Sequence, residues 1–299
     1  MQIIIESLPV SSSGHVILVQ RLFEKFGYFP EIFADSWIID FILHGPTIVI
    51  LLFYFFKTWW NMVFGQNSID FKIFLKKGAW ESLFRPLIFV GIADGITIAF
   101  WWSGIAQSFF ITQYFLSLGF MITALILYAT KWASTKGMDP RVKPEDEEEG
   151  VGTAPGKHLV RHSLLATAGS GRASMWNFTN AVILGIAQAL SLLPGISRFA
   201  FTFGAGRLVC GYQASTSFAL SFLIQLPLIG AGFIKGLIAV QKYPELMTKL
   251  FAFKSLLVMV VGSLISYGLL CWIGNVIQKN KLYYFAFYMI IPIILSVIL

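Results

Sequence analysis

Charged side chains are scarce in this chain of 299 residues: Asp, Glu, Lys and Arg make up 12%, against 57% hydrophobic residues. Soluble domains carry about 25% charged residues, so a soluble globular protein is excluded. Cysteine is also scarce, because Cys210 and Cys271 are the only two. Both lie in apolar sequence, far apart, and are predicted to pack as free thiols rather than to form a disulfide. The composition predicts an all-α polytopic membrane protein.

The few charges are mostly positive, with a formal net charge of +7. Nucleic-acid binding would use positive charge, but the cytoplasmic loops of membrane proteins also carry an excess of Lys and Arg. Two loops, 57–85 and 131–176, are strongly basic and are predicted to lie in the cytoplasm. No nucleic-acid partner is therefore expected. The N-terminus lacks the positive region of a cleavable signal peptide.

Six apolar runs are each about long enough to cross a bilayer. They are predicted as transmembrane helices at about 37–56, 86–102, 110–131, 214–234, 255–275 and 282–299. Two further apolar runs, 1–23 and 177–210, are interrupted by Pro, Gly and Ser. Because an interrupted backbone is tolerated in a membrane only where it lines a cavity, these two runs are predicted as re-entrant pairs of short helices.

Each broken run precedes three predicted spans, so the chain divides into two similar units. The first unit is 1–131, the second is 177–299, and 132–176 is a polar cytoplasmic linker. Three spans, an odd number, separate the broken runs, which predicts an inverted-topology repeat with both breaks near the midplane. The first break is then approached from outside. Loop 235–254 becomes external although it carries four lysines, a conflict outweighed by the two stronger basic loops.

The linker contains the acidic run Glu145–Glu149 and the pair His158 and His162. The acidic run is typical of a solvated, disordered connection. The two histidines lie one helical turn apart, but no acidic or cysteine ligand stands beside them at ligand spacing. They are therefore not expected to hold a metal ion.

The first break concentrates polar residues that would be costly in a membrane unless they line a polar cavity. Ser11–Ser13 follow Pro9, and a helix N-terminus with hydroxyl groups suits an anion. His15 lies three residues beyond Ser12, so it is a candidate nucleophile or a base that activates a serine or water. Gln2 and Glu6 lie one helical turn apart on a shared face, which suits the handling of a cation or a proton.

The second break contains Pro194, Gly195, Ser197 and Arg198. A guanidinium group presents a planar fork of donors that fits phosphate, and glycine allows close approach or a positive φ. Together the two breaks suit the hydrolysis of a phosphate ester. The predicted catalytic residues are Glu6, Ser12, His15 and Arg198; the predicted phosphate-binding residues are Ser11, Ser13, Gly195, Ser197 and Arg198.

Three other polar residues lie in apolar sequence. Asp94 and His44 are expected to be hydrogen-bonded packing or hairpin residues rather than catalytic ones. Arg207 is expected to be a snorkelling or interfacial residue.

In these two motifs, the chain resembles the bacterial undecaprenyl-pyrophosphate phosphatase family, also known as bacitracin-resistance proteins. That family has a Glu/Gln-x-x-x-Glu pattern followed by Pro-x-Ser-Ser-Thr-Gly-His, and a second motif Pro-Gly-x-Ser-Arg-Ser-Gly. The chain matches the first motif apart from Ser13 in place of Thr. It matches the second as far as Arg198, after which Phe199 and Ala200 replace Ser and Gly.

The resemblance implies hydrolysis of undecaprenyl pyrophosphate to undecaprenyl phosphate and phosphate. This reaction recycles the lipid carrier of peptidoglycan and other cell-wall polymers and confers bacitracin resistance. It implies a multi-pass protein of the cell (inner) membrane whose active site faces the outer side. The implied partners are the polyprenyl pyrophosphate lipid and the bilayer; a homodimer is compatible with the sequence.

Several alternatives stay open at this level. The nucleophile is His15 or a serine; the favoured interpretation gives His15 a direct chemical role, with Glu6 orienting it or holding a cation and a serine binding the phosphate. A divalent cation, Mg²⁺ or Ca²⁺, held by Glu6 is one way to polarise the leaving phosphate, and no organic cofactor is expected. A lipid transporter or flippase of the same fold is the alternative function. A phosphatidic-acid-phosphatase type is disfavoured because Gly204 stands where that signature needs a histidine.

Overall fold

The computed structural model describes residues 2–27, 36–64, 79–105, 113–136 and 175–299. Within these ranges the regular structure is helical and no strand occurs. The helices, numbered in chain order, are α1 Gln2–Ile5, α2 Ser12–Lys25, α3 Ser36–Phe64, α4 Ala79–Trp102, α5 Gln113–Lys136, α6 Phe178–Leu190, α7 Arg198–Leu208, α8 Ala214–Leu223, α9 Leu226–Val240, α10 Pro244–Leu250, α11 Phe253–Gln278, α12 Tyr284–Tyr288 and α13 Ile290–Ile298.

Five helical stretches in the described residues are long and apolar enough to cross a membrane. They are Ile38–Phe64, Leu83–Trp102, Phe115–Trp132, Ala214–Val240 and Phe253–Gln278. Large apolar side chains remain exposed along them, for example Val258 and Leu264 of α11. A soluble protein does not leave such an extensive apolar surface in water. The prediction of an all-α polytopic membrane protein is confirmed.

The sixth predicted span, 282–299, has a different form in the structure. Two short helices, α12 and α13, share Tyr284–Ile298. At 1.5 Å per residue this stretch is about 22 Å long, which is less than the roughly 30 Å of a bilayer's hydrocarbon core. The C-terminal stretch is therefore shorter than a full crossing.

Both broken runs are a helix, a break and a second helix. The first break separates α1 from α2, and the second separates α6 from α7. Each break ends in a serine N-cap: the Ser11 hydroxyl accepts from the N–H of Gly14 at 3.1 Å, and the Ser197 hydroxyl accepts from the N–H of Ala200 at 3.3 Å. These caps start the second helix of each run, because they satisfy an N–H group that has no partner inside the helix.

Each broken run packs against helices from the other half of the chain. Helix α1 contacts α11 and α2 contacts α13, while α6 contacts α4 and α7 contacts α5. Helices α3 and α9 also pack together. These reciprocal contacts are those that a twofold repeat would produce; the inverted orientation in the membrane stays a prediction. The acidic run and the two linker histidines lie outside the described residues.

Glycine allows the second break to lie directly on α5. A Cβ atom on Gly119 would lie 2.0 Å from the carbonyl oxygen of Pro194, and one on Gly195 would lie 2.4 Å from that of Leu116. Gly195 also has a φ of +82°, which side chains disfavour. The Thr123 hydroxyl donates to the Gly195 carbonyl at 3.0 Å and accepts from the N–H of Ser197 at 3.0 Å. This contact holds the second break in place.

Replacing Gly119 by alanine is expected to destabilise the protein, because the new methyl group would overlap a backbone oxygen that cannot move without displacing the break. Overpacking of this kind costs about 1–3 kcal/mol. Thermal unfolding in detergent measures the loss. The matched control is Gly91→Ala in α4, where nothing lies within 4 Å of the added Cβ. Equal melting of the two variants would contradict the close contact.

Candidate active site

A pocket lies between the two breaks, with about 410 Å³ of empty space including the part that opens to solvent. Helix α3 and the junction of α8 and α9 complete its walls. Its lining comprises Glu6, Leu8, Val10, Ser11, Ser12, Ser13, Thr47, Leu51, Ile196, Ser197, Arg198, Phe199, Phe222, Gln225 and Ile229. The structure thus brings most of the predicted site residues into one cavity.

The carboxylate of Glu6 is buried in the pocket wall, with 7% of its side chain exposed. Its Oε2 atom accepts a hydrogen bond of 2.7 Å from the Thr47 hydroxyl. Its Oε1 atom lies 3.0 Å from Nδ1 of His44, without the alignment of a hydrogen bond, and 3.8 Å from Nη2 of Arg198. A carboxylate buried this deeply needs such partners to remain ionised.

His44 therefore lies beside the predicted catalytic carboxylate, a position that the sequence analysis did not foresee. It was expected to be a packing residue because a single histidine in an apolar span carries no pattern of its own. The one available signal is its spacing from Thr47, since residues three apart share a helix face. In α3 this face turns both side chains towards Glu6.

Arg198 is the first residue of α7 and reaches into the pocket from the second break. Its side chain is 26% exposed, more than that of its partner Glu6. At 3.8 Å the contact between the two charges is loose. Some of the five guanidinium N–H donors thus face the pocket rather than the carboxylate, and they are available to an anion.

The three serines of the first break differ in their surroundings. Ser11 is 1% exposed and its hydroxyl caps α2, so this hydroxyl has a structural task. Ser12 is half-buried and Ser13 is exposed. Both line the pocket at the N-terminal end of α2, where the helix dipole favours negative charge.

His15 does not line the pocket. Its Nδ1 atom lies 2.6 Å from the carbonyl oxygen of Ser11, and its Nε2 atom lies 3.0 Å from the hydroxyl of Tyr288. A carbonyl oxygen only accepts, so Nδ1 carries the hydrogen, and in the neutral ring Nε2 accepts from the Tyr288 hydroxyl. The ring stacks on Tyr288 at 5.9 Å and meets Phe120 edge-on at 5.3 Å. Both nitrogens are engaged in these contacts, and the direct role of His15 stays a prediction.

Gln2 is 8% exposed and also lies outside the pocket lining. Its Oε1 atom has no hydrogen-bond partner among the described residues. The predicted shared face of Gln2 and Glu6 therefore does not place both side chains in one cavity. Their joint handling of a cation or proton stays a prediction.

Phe199, which replaces the serine that follows the arginine in the family motif, packs against other aromatic rings. Phe199 is 3% exposed and its ring lies 5.0 Å from that of Phe222 and 5.5 Å from that of Phe218. Phe199 and Phe222 both line the pocket. Where the family motif has a serine, this chain thus presents an aromatic side chain in the pocket wall.

A divalent cation fits these residues poorly. Glu6 is the one carboxylate in the pocket lining, and its oxygens already face Thr47, His44 and Arg198. Within the described residues no group of three His, Cys, Asp or Glu side chains is arranged to hold a metal. Ca²⁺ and Mg²⁺ prefer several oxygen ligands and a nearby guanidinium repels them, so the described pocket residues do not suit a bound divalent cation.

Comparisons with known proteins find relatives along almost the whole chain. The family model described as Bacitracin resistance protein BacA matches residues 1–295. Undecaprenyl-diphosphatase 2 of Bacillus thuringiensis (strain Al Hakam) is 25% identical over 293 residues, covering 98% of this chain and 92% of the relative. Undecaprenyl-diphosphatase of Borrelia hermsii (strain HS1 / DAH) is 27% identical over 298 residues, covering 97% and 92%. That of Halothermothrix orenii is 25% identical over 295 residues, covering 98% and 92%.

Proposed function

This chain belongs to the bacitracin resistance protein BacA family, and on that premise we propose that it hydrolyses undecaprenyl diphosphate to undecaprenyl phosphate and phosphate within the membrane. The relatives named undecaprenyl-diphosphatase support this activity. The observation that carries it here is one pocket lined by Glu6, by Ser12 and Ser13, and by Arg198. These are the carboxylate, hydroxyl and guanidinium groups that such a hydrolysis needs.

The diphosphate binds between the two breaks in this proposal. Arg198 donates its free N–H groups to the phosphate oxygens, and the N-termini of α2 and α7 add backbone N–H groups and favourable dipoles. The isoprenyl chain extends sideways between apolar helices into the bilayer. One copy of the chain supplies all these groups, so the chemistry does not require a homodimer.

A serine is the better nucleophile on this geometry. The Ser12 oxygen attacks the terminal phosphorus, its proton passes to Glu6, and the bond from that phosphorus to the bridging oxygen breaks. Undecaprenyl phosphate then leaves with the bridging oxygen. Water attacks the phosphorus of the phosphoserine and the bond from that phosphorus to the Ser12 oxygen breaks. Glu6 returns its proton to this oxygen, which restores the Ser12 hydroxyl, and phosphate leaves with the oxygen and hydrogens of the water. Arg198 stabilises the charge on the phosphoryl oxygens in both steps.

The biological setting follows from the proposed reaction. Returning the monophosphate to use would recycle the lipid carrier of peptidoglycan and other cell-wall polymers. The basic loops, which are predicted to lie in the cytoplasm, and the first break, which is predicted to enter from the opposite side, support a pocket that opens to the outer face of the cell (inner) membrane. Bacitracin resistance is the expected phenotype of raised expression.

His15 acts through the first break in this proposal, and Tyr288 holds it there. Tyr288→Phe keeps the stacked ring but removes the hydroxyl that donates to Nε2. A lost hydrogen bond of about 1 kcal/mol is expected to lower kcat by roughly 5- to 10-fold with KM unchanged. His15→Ala should lose more, because the Ser11 carbonyl also loses its donor.

Turnover by the purified variants across a pH series measures both effects. Removing the Tyr288 hydroxyl leaves Nε2 of His15 free to take up a proton. The acidic limb of the plot of turnover against pH should therefore move in Tyr288→Phe. The control is Tyr284→Phe, an exposed neighbour in the same helix. A wild-type rate and pH profile for Tyr288→Phe would mean that the hydroxyl does not position His15.

Phosphate release by purified protein in detergent tests the proposed function. Hydrolysis needs no membrane gradient, so release from a long-chain prenyl diphosphate is expected without any vesicle. The transporter or flippase is the competing function. Movement of the lipid across vesicle membranes, with no phosphate release in either system, would favour transport and overturn the proposal.

A further inference from the structure

A second buried polar pair lies away from the pocket, between helices α4 and α6. Asp94 is 7% exposed and Gln188 is 0% exposed, and neither lines the pocket. The Nε2 group of Gln188 donates to Oδ1 of Asp94 at 2.8 Å. The sequence predicts a hydrogen-bonded packing residue at Asp94, and the structure identifies Gln188 as its hydrogen-bond partner. The hydrogen bonds of this amide bear on whether Asp94 is protonated.

The two helices are in backbone contact at this point. A Cβ atom on Gly185 would lie 2.9 Å from the Cα atom of Ala93. The Thr97 hydroxyl of α4 lies 2.9 Å from the carbonyl oxygen of Ala93 in its own helix and 3.4 Å from that of Gly185 in α6, and it donates to both. Small residues thus bring α4 and α6 together, as is common between membrane helices. The carboxyl group and the amide are pressed against each other in an apolar setting.

No positive charge offsets an ionised Asp94 in the described part of the chain. Helix α6 has no ionisable side chain, and no ion pair to Asp94 occurs among the described residues. Helix α3 also packs on α4; its titratable residues Asp40, His44, Tyr54 and Lys57 make no ion pair or hydrogen bond with Asp94. A lone carboxylate here would be expensive.

The amide of Gln188 has one unsatisfied atom. Its Oε1 is buried and has no hydrogen-bond partner among the described residues, although Nε2 of the same amide already donates to Asp94. An ionised carboxylate has no hydrogen to offer Oε1. A carboxylic acid has one, and an acid beside an amide forms two parallel hydrogen bonds: N–H to one oxygen and O–H back to the amide oxygen. Protonation therefore removes the charge and satisfies the orphaned oxygen in one step.

We propose that Asp94 is a proton-binding site, held as a neutral acid by Gln188, and that this acid–amide pair clamps α4 to α6. Helix α6 ends two residues after Gln188, where the second break begins. Loss of the proton breaks one hydrogen bond and leaves an unpaired charge. The clamp then weakens next to the segment that presents Arg198. The proposal does not depend on which reaction the pocket carries out.

Infrared difference spectroscopy on the purified protein tests the protonation state directly. The spectrum of the wild type minus that of Asp94→Asn, both at neutral pH, is expected to contain the C=O stretch of a protonated carboxyl group. Carboxylate bands alone in that difference would overturn the proposal. In Gln188→Leu, the protonated band should move to higher frequency, because the acid loses its amide partner; an unmoved band would exclude the pair.

Thermal unfolding across a pH series provides the second test. The folded protein would hold this proton more tightly than the unfolded chain, so wild-type stability should fall as the pH rises through ionisation of Asp94. Asp94→Asn can form the same two hydrogen bonds as an amide pair without titrating. It should melt at or above the wild-type temperature and show a smaller fall at high pH. Melting lower by about 3 °C or more at neutral pH would mean that the carboxylate itself is required.

Discussion

Replacing Ser12 by alanine is expected to lower phosphate release by roughly 10³-fold or more, because the proposed reaction then has no nucleophile. The substitution removes one oxygen at the edge of the pocket and makes no cavity in a packed core. The variant should therefore fold and melt like the wild type. Steady-state release of phosphate from a prenyl diphosphate measures the loss.

The neighbouring serines provide matched controls for this prediction. Ser13→Ala removes an equivalent hydroxyl from the pocket lining and should cost far less activity. Ser11→Ala removes the N-cap of α2 and should lower stability by about 1 kcal/mol. Rapid acid quench of wild type should trap an acid-stable phosphoserine on Ser12. Acid-labile phosphate on His15, or full activity in Ser12→Ala, would restore the histidine as nucleophile or base.

Replacing Arg198 by lysine is expected to cost on the order of 100-fold in kcat. Lysine keeps the positive charge near Glu6 but loses the planar fork that contacts two phosphate oxygens at once. The 3.8 Å contact with Glu6 is loose, so most of the loss should appear in turnover rather than in folding. Kinetics in detergent, together with a melting curve, separate the two.

Arg85→Lys is the matched control, because Arg85 is exposed on α4 and does not line the pocket. It should keep the wild-type rate. If Arg198→Lys also turns over at the wild-type rate, the guanidinium does not clamp the phosphate. If both variants slow equally, the loss is a general effect of replacing arginine by lysine in this protein and does not belong to this site.

The breaks were predictable from the sequence because their residues act locally. Pro9 followed by serines, and Pro194-Gly195 followed by Ser197, interrupt a helix and cap the next one through neighbours only a few positions away. The five long spans were predictable for the same reason, since apolar length alone decides them. The helix ends in the structure differ from the predicted ones: α3, for example, runs to Phe64 rather than to about residue 56.

The unpredicted features depend on contacts between distant segments. His44 reaches Glu6 only because α3 turns the face it shares with Thr47 towards the first break. His15 faces Tyr288, 273 positions away, instead of the pocket. The sequence predicts one continuous span at 282–299, because hydropathy does not reveal that the helix divides at Met289. Such outcomes are decided by packing, for which one sequence offers no pattern.

The contact between the breaks has an evolutionary consequence. A Cβ on Gly14 would lie 3.0 Å from the Cα of Gly195, so the two halves meet backbone to backbone, yet one contributes Glu6 and the other Arg198. An assembly of two identical half-length chains would present every side chain twice. Joining both halves in one polypeptide lets each copy specialise, one as the acidic side of the pocket and the other as the basic side.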